Sequence, residues 1–127
     1  RFIAKGYVDD ASYARAKTGG LLRRGYGARR IDQALRADAI AETLRESLAP
    51  GEAGRREAVA AYARRRRLGP FAREATAVSD PRAREKQLAA LLRAGHDSAH
   101  ARWLLSVASP DEVEAWIAEA REEQDGL

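Results

Sequence analysis

Few residues in this chain have types and spacings that could do chemistry, and each can be held against what its chemistry requires. The run "GLLRRGYG", Gly20 to Gly27, has the glycine spacing of a phosphate-cradling loop. Such a loop needs lysine and then serine or threonine directly after its second glycine, where this chain has Tyr26 and Gly27. It also needs a preceding strand, and none is predicted. His96 and His100 are four apart, which places two imidazoles on one helix face. With no cysteine and no third ligand nearby they do not make a metal site. Asp9-Asp10 lacks a partnering base and reads as a helix cap. No serine or threonine stands in a nucleophile's context. These residues predict no enzyme, no metal and no cofactor.

What is left is surface. Trp103 and Trp116 could stack on bases. Trp116 falls on an apolar stripe and reads as core, whereas Trp103 falls off its stripe and reads as a contact residue. The basic residues are almost all arginine, with lysine only at Lys5, Lys17 and Lys86. Arginine's planar fork suits carboxylates and phosphates. The charge is unevenly spread. From Ser109 onward seven acids stand against Arg121, a net of −6; with +4 overall, residues 1–108 carry +10. A basic body suits a polyanionic partner, either nucleic acid or an acidic protein surface.

The elements that must position these groups are helices. The 127 residues are 45% hydrophobic, much of it alanine, and only 6% aromatic. Alanine favours closely packed helices; β-branched residues are sparse and nothing alternates with period two. The predicted fold is all-α. The lack of cysteine fits a reducing, cytoplasmic setting. No apolar run nears the ~18 residues of a membrane span, and no signal-peptide pattern opens the chain. The chain has no methionine and opens on Arg1-Phe2-Ile3, which reads as a fragment of a longer protein.

Asp9 or Asp10 caps a first helix to about Leu22, with Tyr13, Ala16, Gly20 and Leu21 on one face; Gly19-Gly20 inside it implies close backbone packing or a bend. Gly25 and Gly27 end that helix and open the next, with Ile31, Ala34 and Leu35 as its stripe. Ile40, Leu44 and Leu48 mark a third helix, and "APGEAG" (Ala49 to Gly54) a linker. A longer helix runs from about Glu52 to Leu68, with Val59, Tyr62 and Ala63 inward, stopped by Gly69-Pro70. Phe71, Ala75 and Val78 suggest a short helix. Asp80-Pro81 opens one that buries Leu88, Leu91 and Leu92 and ends at Gly95. Asp97 or Ser98 caps another, with Ala101, Leu104 and Leu105 inward. "SPDE", Ser109 to Glu112, is a capping box before a last helix carrying Val113, Trp116, Ile117 and Ala120.

The pattern is written twice. "LLRRGYGARRIDQAL" (Leu21 to Leu35) returns as "LLRAGHDSAHARWLL" (Leu91 to Leu105). Asp10 aligns with Asp80, the double leucines and Gly25 with their counterparts ending at Gly95, and His96 takes the turn position of Tyr26. With a one-residue shift, Leu44 falls near Val113 and Leu48 near Ile117. A three-helix unit used twice is the expectation: residues 1–8 as the remnant of a preceding repeat, 9–49 the first, 50–79 a basic linking helix and short helix, 80–127 the second. The copies differ in charge. The first carries Arg23, Arg24, Arg29, Arg30 and Arg36 against Asp32; the second keeps Arg93 and Arg102. Between them stand Arg64 to Arg67, of which Arg66 leans toward Tyr62 and Val59 while Arg64, Arg65 and Arg67 face solvent. The candidate partner-binding set is Arg23, Arg24, Arg29, Arg30, Arg36, Arg64, Arg65, Arg67 and Arg93.

"GYVDDASYA" (Gly6 to Ala14), "RRGYGARRIDQAL" (Arg23 to Leu35) followed by Ile40, "ARRRRLGPF" (Ala63 to Phe71) and "KQLAALLRAGHDSAHARWLL" (Lys86 to Leu105) together resemble the regulatory RecX family, modulators of the RecA recombinase. The resemblance covers nearly the whole chain. It implies tandem three-helix repeats in an elongated, curved array, and binding to the RecA filament on single-stranded DNA, with suppression of ATP hydrolysis and strand exchange during homologous recombination and DNA repair. It implies a monomer with at most weak direct DNA contact. Family members usually have three repeats, so Arg1-Phe2-Ile3-Ala4 would be the tail of the first. Two departures touch the turns: Ala39 replaces the family's glycine before Ile40, and His96 replaces an aromatic. A second reading, from another class, is a helical module that binds nucleic acid directly through its arginines, with affinity falling steeply with salt. A third, a plain helical scaffold, predicts that charge reversal of the basic face changes nothing.

Overall fold

The computed structural model describes residues 9–74 and 80–126. These form seven α-helices and one 3-10 turn, with no strand among the described residues: α1 (Asp10–Arg23), α2 (Ala28–Ala37), α3 (Glu42–Leu48), α4 (Glu52–Arg66), the turn Gly69–Phe71, α5 (Pro81–Arg93), α6 (Ser98–Ser106) and α7 (Pro110–Gln124). The all-α expectation holds, and three of the seven helices start at side-chain caps visible in the sequence, whereas Asp97 stands at the start of α6 without a side-chain cap bond. Asp9 accepts from the amides of Ala11 and Ser12. Asp80 accepts from Arg82 N–H ahead of Pro81, and Ser109 and Glu112 close a reciprocal capping box. These satisfy amides that have no partner inside the helix. Residues 1–8 and 75–79 lie outside the described residues, and with them the expected repeat remnant and the helix suggested by Ala75 and Val78.

Two apolar clusters hold the helices. The smaller contains Ala14, Leu21, Ile31, Leu35 and Ile40. The larger joins Val59, Ala60, Tyr62 and Ala63 of α4 to Leu91, Ala94, Ala101, Leu104, Leu105, Val113 and Ile117. Tyr26 packs against both. The helix read as a basic linker is therefore also the central helix of the larger cluster, packed most extensively on α7. Alanines at 58, 60 and 63 permit that approach by keeping its inner face low.

Several side chains sit elsewhere than their stripes imply. In α1 the buried residues are Ala14, Thr18 and Leu21, while Ala16 faces solvent. The third helices differ in depth: α3 has seven residues and buries none fully, whereas α7 has fifteen and buries Val113, Ile117 and Ala120. Leu92 is 39% exposed, not core. Among the described residues no neighbouring backbone comes within 4 Å of a Cβ built at Gly19 or Gly20; the nearest group to both is the Arg23 guanidinium. Close backbone packing occurs instead at Gly25, where an added Cβ would lie 2.7 Å from the Tyr62 amide nitrogen.

Candidate functional site: two interlocked corners and their arginines

The ends of α1 and α5 are built alike. Past α1, Gly25 takes φ +87°; its N–H donates to Leu22 O at 2.9 Å and Tyr26 N–H to Leu21 O at 3.0 Å. Past α5, Gly95 takes φ +96°; its N–H donates to Leu92 O at 3.0 Å and His96 N–H to Leu91 O at 3.1 Å. Both are Schellman endings, in which glycine occupies the left-handed position without a Cβ penalty. The end of α2 makes the same two bonds with Ala39 at φ 60°, so the departure from glycine there keeps the turn and accepts its strain.

These two corners dock on each other through backbone. Gly27 N–H donates to Ala94 O at 2.8 Å and Arg29 N–H to Gly95 O at 3.2 Å. In return, His96 Nε2 lies 2.8 Å from Gly25 O. The approach is closer than any side chain permits: a Cβ on Gly27 would sit 2.4 Å from the Gly95 carbonyl, and one on Gly95 2.4 Å from Arg30 N. The turns that follow α1 and α5 thus form one junction.

An arginine–tyrosine cluster surrounds this junction. The Arg24 and Arg30 guanidinium carbons lie 5.7 and 5.0 Å from the Tyr26 ring centroid. Tyr26 tilts against Tyr62 at 6.4 Å, Tyr62 against His96 at 5.7 Å, and Arg66 covers the Tyr62 ring at 5.1 Å. Each such cation–aromatic pair contributes about 0.5–1 kcal/mol where exposed. Arg66 was read as leaning inward; its guanidinium does lie over Tyr62, yet the residue is exposed and joins Arg24 and Arg30. Tyr26 and Tyr62 organise the cluster: the first stands in "RRGYG" and the second on the inward stripe of α4, and only the fold brings the two rings together.

The nine candidate arginines do not share one environment. Arg23, Arg29, Arg65, Arg67 and Arg93 are exposed and make no ion pair among the described residues. Arg36 pairs with Asp32 at 3.3 Å, and Arg64 with Glu114 of α7 at 2.9 Å while also covering Phe71. Glu114 of the acidic last helix thus neutralises Arg64 of α4, and a pair of opposite sense joins Arg121 of α7 to Glu57 of α4 at 2.6 Å. Trp103 is no free contact residue: it stacks on Trp116 with centroids 4.1 Å apart, and Arg56 covers Trp116 at 4.7 Å. Arg56 and His100 both hydrogen-bond Glu52, in that order of weight, and hold its carboxyl below the usual range. No group of three or more His, Asp or Glu suited to a metal ion occurs among the described residues, and no described helix is long and apolar enough to cross a membrane.

His96 makes the junction sensitive to acid. It is 3% exposed, and because a carbonyl only accepts, its Nε2 carries the hydrogen toward Gly25 O. Burial pushes its pKa down from 6.5 to about 4, against a smaller upward pull from Gly25 O. The folded chain therefore favours neutral imidazole, and this contribution is whole above pH 6.5 and lost as pH falls from there toward 4. Between about pH 7.5 and about pH 5 the wild type is expected to lose roughly 2 kcal/mol more than His96→Gln, which keeps a donor but does not titrate. Urea unfolding of both proteins at the two pH values checks this; parallel losses would contradict it.

Fold and site together define an all-α protein with an arginine- and tyrosine-lined surface where two helical corners interlock. No family model matches the chain, and neither a curated protein nor a solved structure does.

Proposed function

We propose that this chain is a regulator of homologous recombination and DNA repair that binds the RecA filament on single-stranded DNA and suppresses its ATP hydrolysis and strand exchange, as members of the RecX family do. To this reading belong a monomer in the cytoplasm, a tandem three-helix array of elongated, curved course, and action without catalysis of its own. The observation that carries it is the junction: two of the four motifs on which the resemblance rests meet at Gly27 and Gly95, and Arg24, Arg29 and Arg30 stand around that contact. A rigid basic surface of this kind suits an acidic protein groove and can reach phosphate.

One observation favours direct nucleic-acid binding as the second reading. Tyr26 is half-buried between Arg24 and Arg30, an arrangement that takes a phosphate or a base. The counter-charges Glu114 and Glu57 on and against α7 favour a mixed-charge protein surface instead. Arg29→Glu with Arg30→Glu tests both. The double variant is expected to keep its helical circular dichroism and bind preformed RecA filaments ~10-fold or more weakly, since like charge is then juxtaposed. Filament binding equal to wild type would sink the proposal. Tight binding to single-stranded DNA alone, falling steeply with salt, would replace it with the second reading.

A further inference from the structure

Two cavities meet along one side of α2. One, of about 180 Å3, lies where the starts of α2 and α6 face each other and reaches Asp97 and His100. The other, of about 410 Å3, is a groove along α2 and α3 that carries Asp32, Arg45 and Glu46. Ala28, Arg29 and Arg55 line both, so the two adjoin along one groove with the arginines between them.

Arg55 decides its chemistry. It is half-buried, its Nε donates to Pro50 O at 3.1 Å, and it makes no ion pair among the described residues. Arg29 beside it also has none. Arg45, by contrast, is satisfied by Asp32 at 2.9 Å and by Ile40 O at 2.7 Å. A half-buried guanidinium without a counter-charge is unfavourable, and an incoming carboxylate offsets that cost through a bidentate pair. We propose that this groove is the docking site for an acidic peptide segment of a protein partner, whose carboxylates pair with Arg55 and Arg29. Glu46 and Asp97 on its walls disfavour a continuous phosphodiester, which offers only acceptors, whereas a peptide also brings backbone N–H groups from which they can accept. The small end is well below the ~300 Å3 of an ordinary ligand pocket and suits one acidic side chain, not a nucleotide. The groove deepens the filament reading and rests on it only for which partner supplies the segment.

The test is fluorescence anisotropy of a fluorescein-labelled glutamate decamer titrated with wild type, Arg55→Gln, Arg29→Ala and, as a control on the exposed face of α5, Arg82→Ala. Circular dichroism confirms that each variant is folded; Arg29, being exposed, keeps the test open should Arg55→Gln fail to fold. Saturable binding is expected, weakened ~10-fold by either groove substitution and unchanged by Arg82→Ala, with no competition from oligothymidylate. Absence of binding, equal affinity across the variants, or displacement by oligothymidylate with the same Arg29 dependence would each overturn the proposal. Filament binding by a wild type that ignores the peptide would sink the groove and leave the filament reading standing; peptide binding at Arg29 and Arg55 without filament binding would do the reverse.

Discussion

Gly95→Ala is expected to destabilise the protein by about 2–5 kcal/mol, combining the left-handed penalty of about 1–2 with overpacking of about 1–3. Gly95 has φ +96°, and its new Cβ would fall 2.4 Å from Arg30 N and 2.6 Å from Arg30 Cβ. The backbone of α2 cannot withdraw without releasing the Gly27–Ala94 and Arg29–Gly95 hydrogen bonds. Gly27→Ala separates the two contributions. Gly27 has φ −89°, ordinary for alanine, so only crowding opposes it, at 2.4 Å from the Gly95 carbonyl and 2.6 Å from His96 N; its expected cost is about 1–3 kcal/mol. Urea unfolding followed by circular dichroism measures both. A loss below about 1 kcal/mol for Gly95→Ala would show that the corners do not interlock.

Leu91→Ala is expected to cost about 2–5 kcal/mol, because Leu91 is fully buried in the larger cluster between α4, α6 and α7 and its truncation leaves a cavity there. Its neighbour supplies an internal standard. Leu92 is 39% exposed, so Leu92→Ala is expected to change stability by only about 0.5 kcal/mol. The same unfolding measurement on the pair decides the assignment. Equal losses from the two substitutions would contradict the burial pattern and with it the placement of α5 on the core.

Much of this architecture is legible in the sequence because caps and turns are local. Asp9, Asp80 and the Ser109–Glu112 box mark helix starts, and the double leucine followed by glycine writes out a Schellman ending whose hydrogen bonds span only six residues. What the sequence hides depends on which helix lies across from a given face. Trp103 is off the Ala101–Leu104–Leu105 stripe, yet α7 reaches past that stripe and stacks Trp116 on it. Leu92 looks like its neighbour Leu91, but α5 turns it outward. The arginine run gives no hint that Glu114 would neutralise Arg64, since that depends on how α4 meets α7; the Arg66–Tyr62 contact, between residues four apart on α4, is by contrast local and legible. Arg55 lies at a helix start with no local mark of its role; that it makes no ion pair among the described residues is visible only in three dimensions. Gly27 is the one sequence signal of the docking itself, a small residue where no left-handed turn requires one.

The most direct test of the functional account is single-stranded-DNA-dependent ATP hydrolysis by preformed RecA filaments, titrated with wild type and with the Arg29→Glu, Arg30→Glu variant. The account predicts inhibition by the wild type well below one molecule per RecA protomer, lost in the folded variant while weak binding to DNA alone persists. Unchanged hydrolysis at every ratio, or equal inhibition by both proteins, would contradict it.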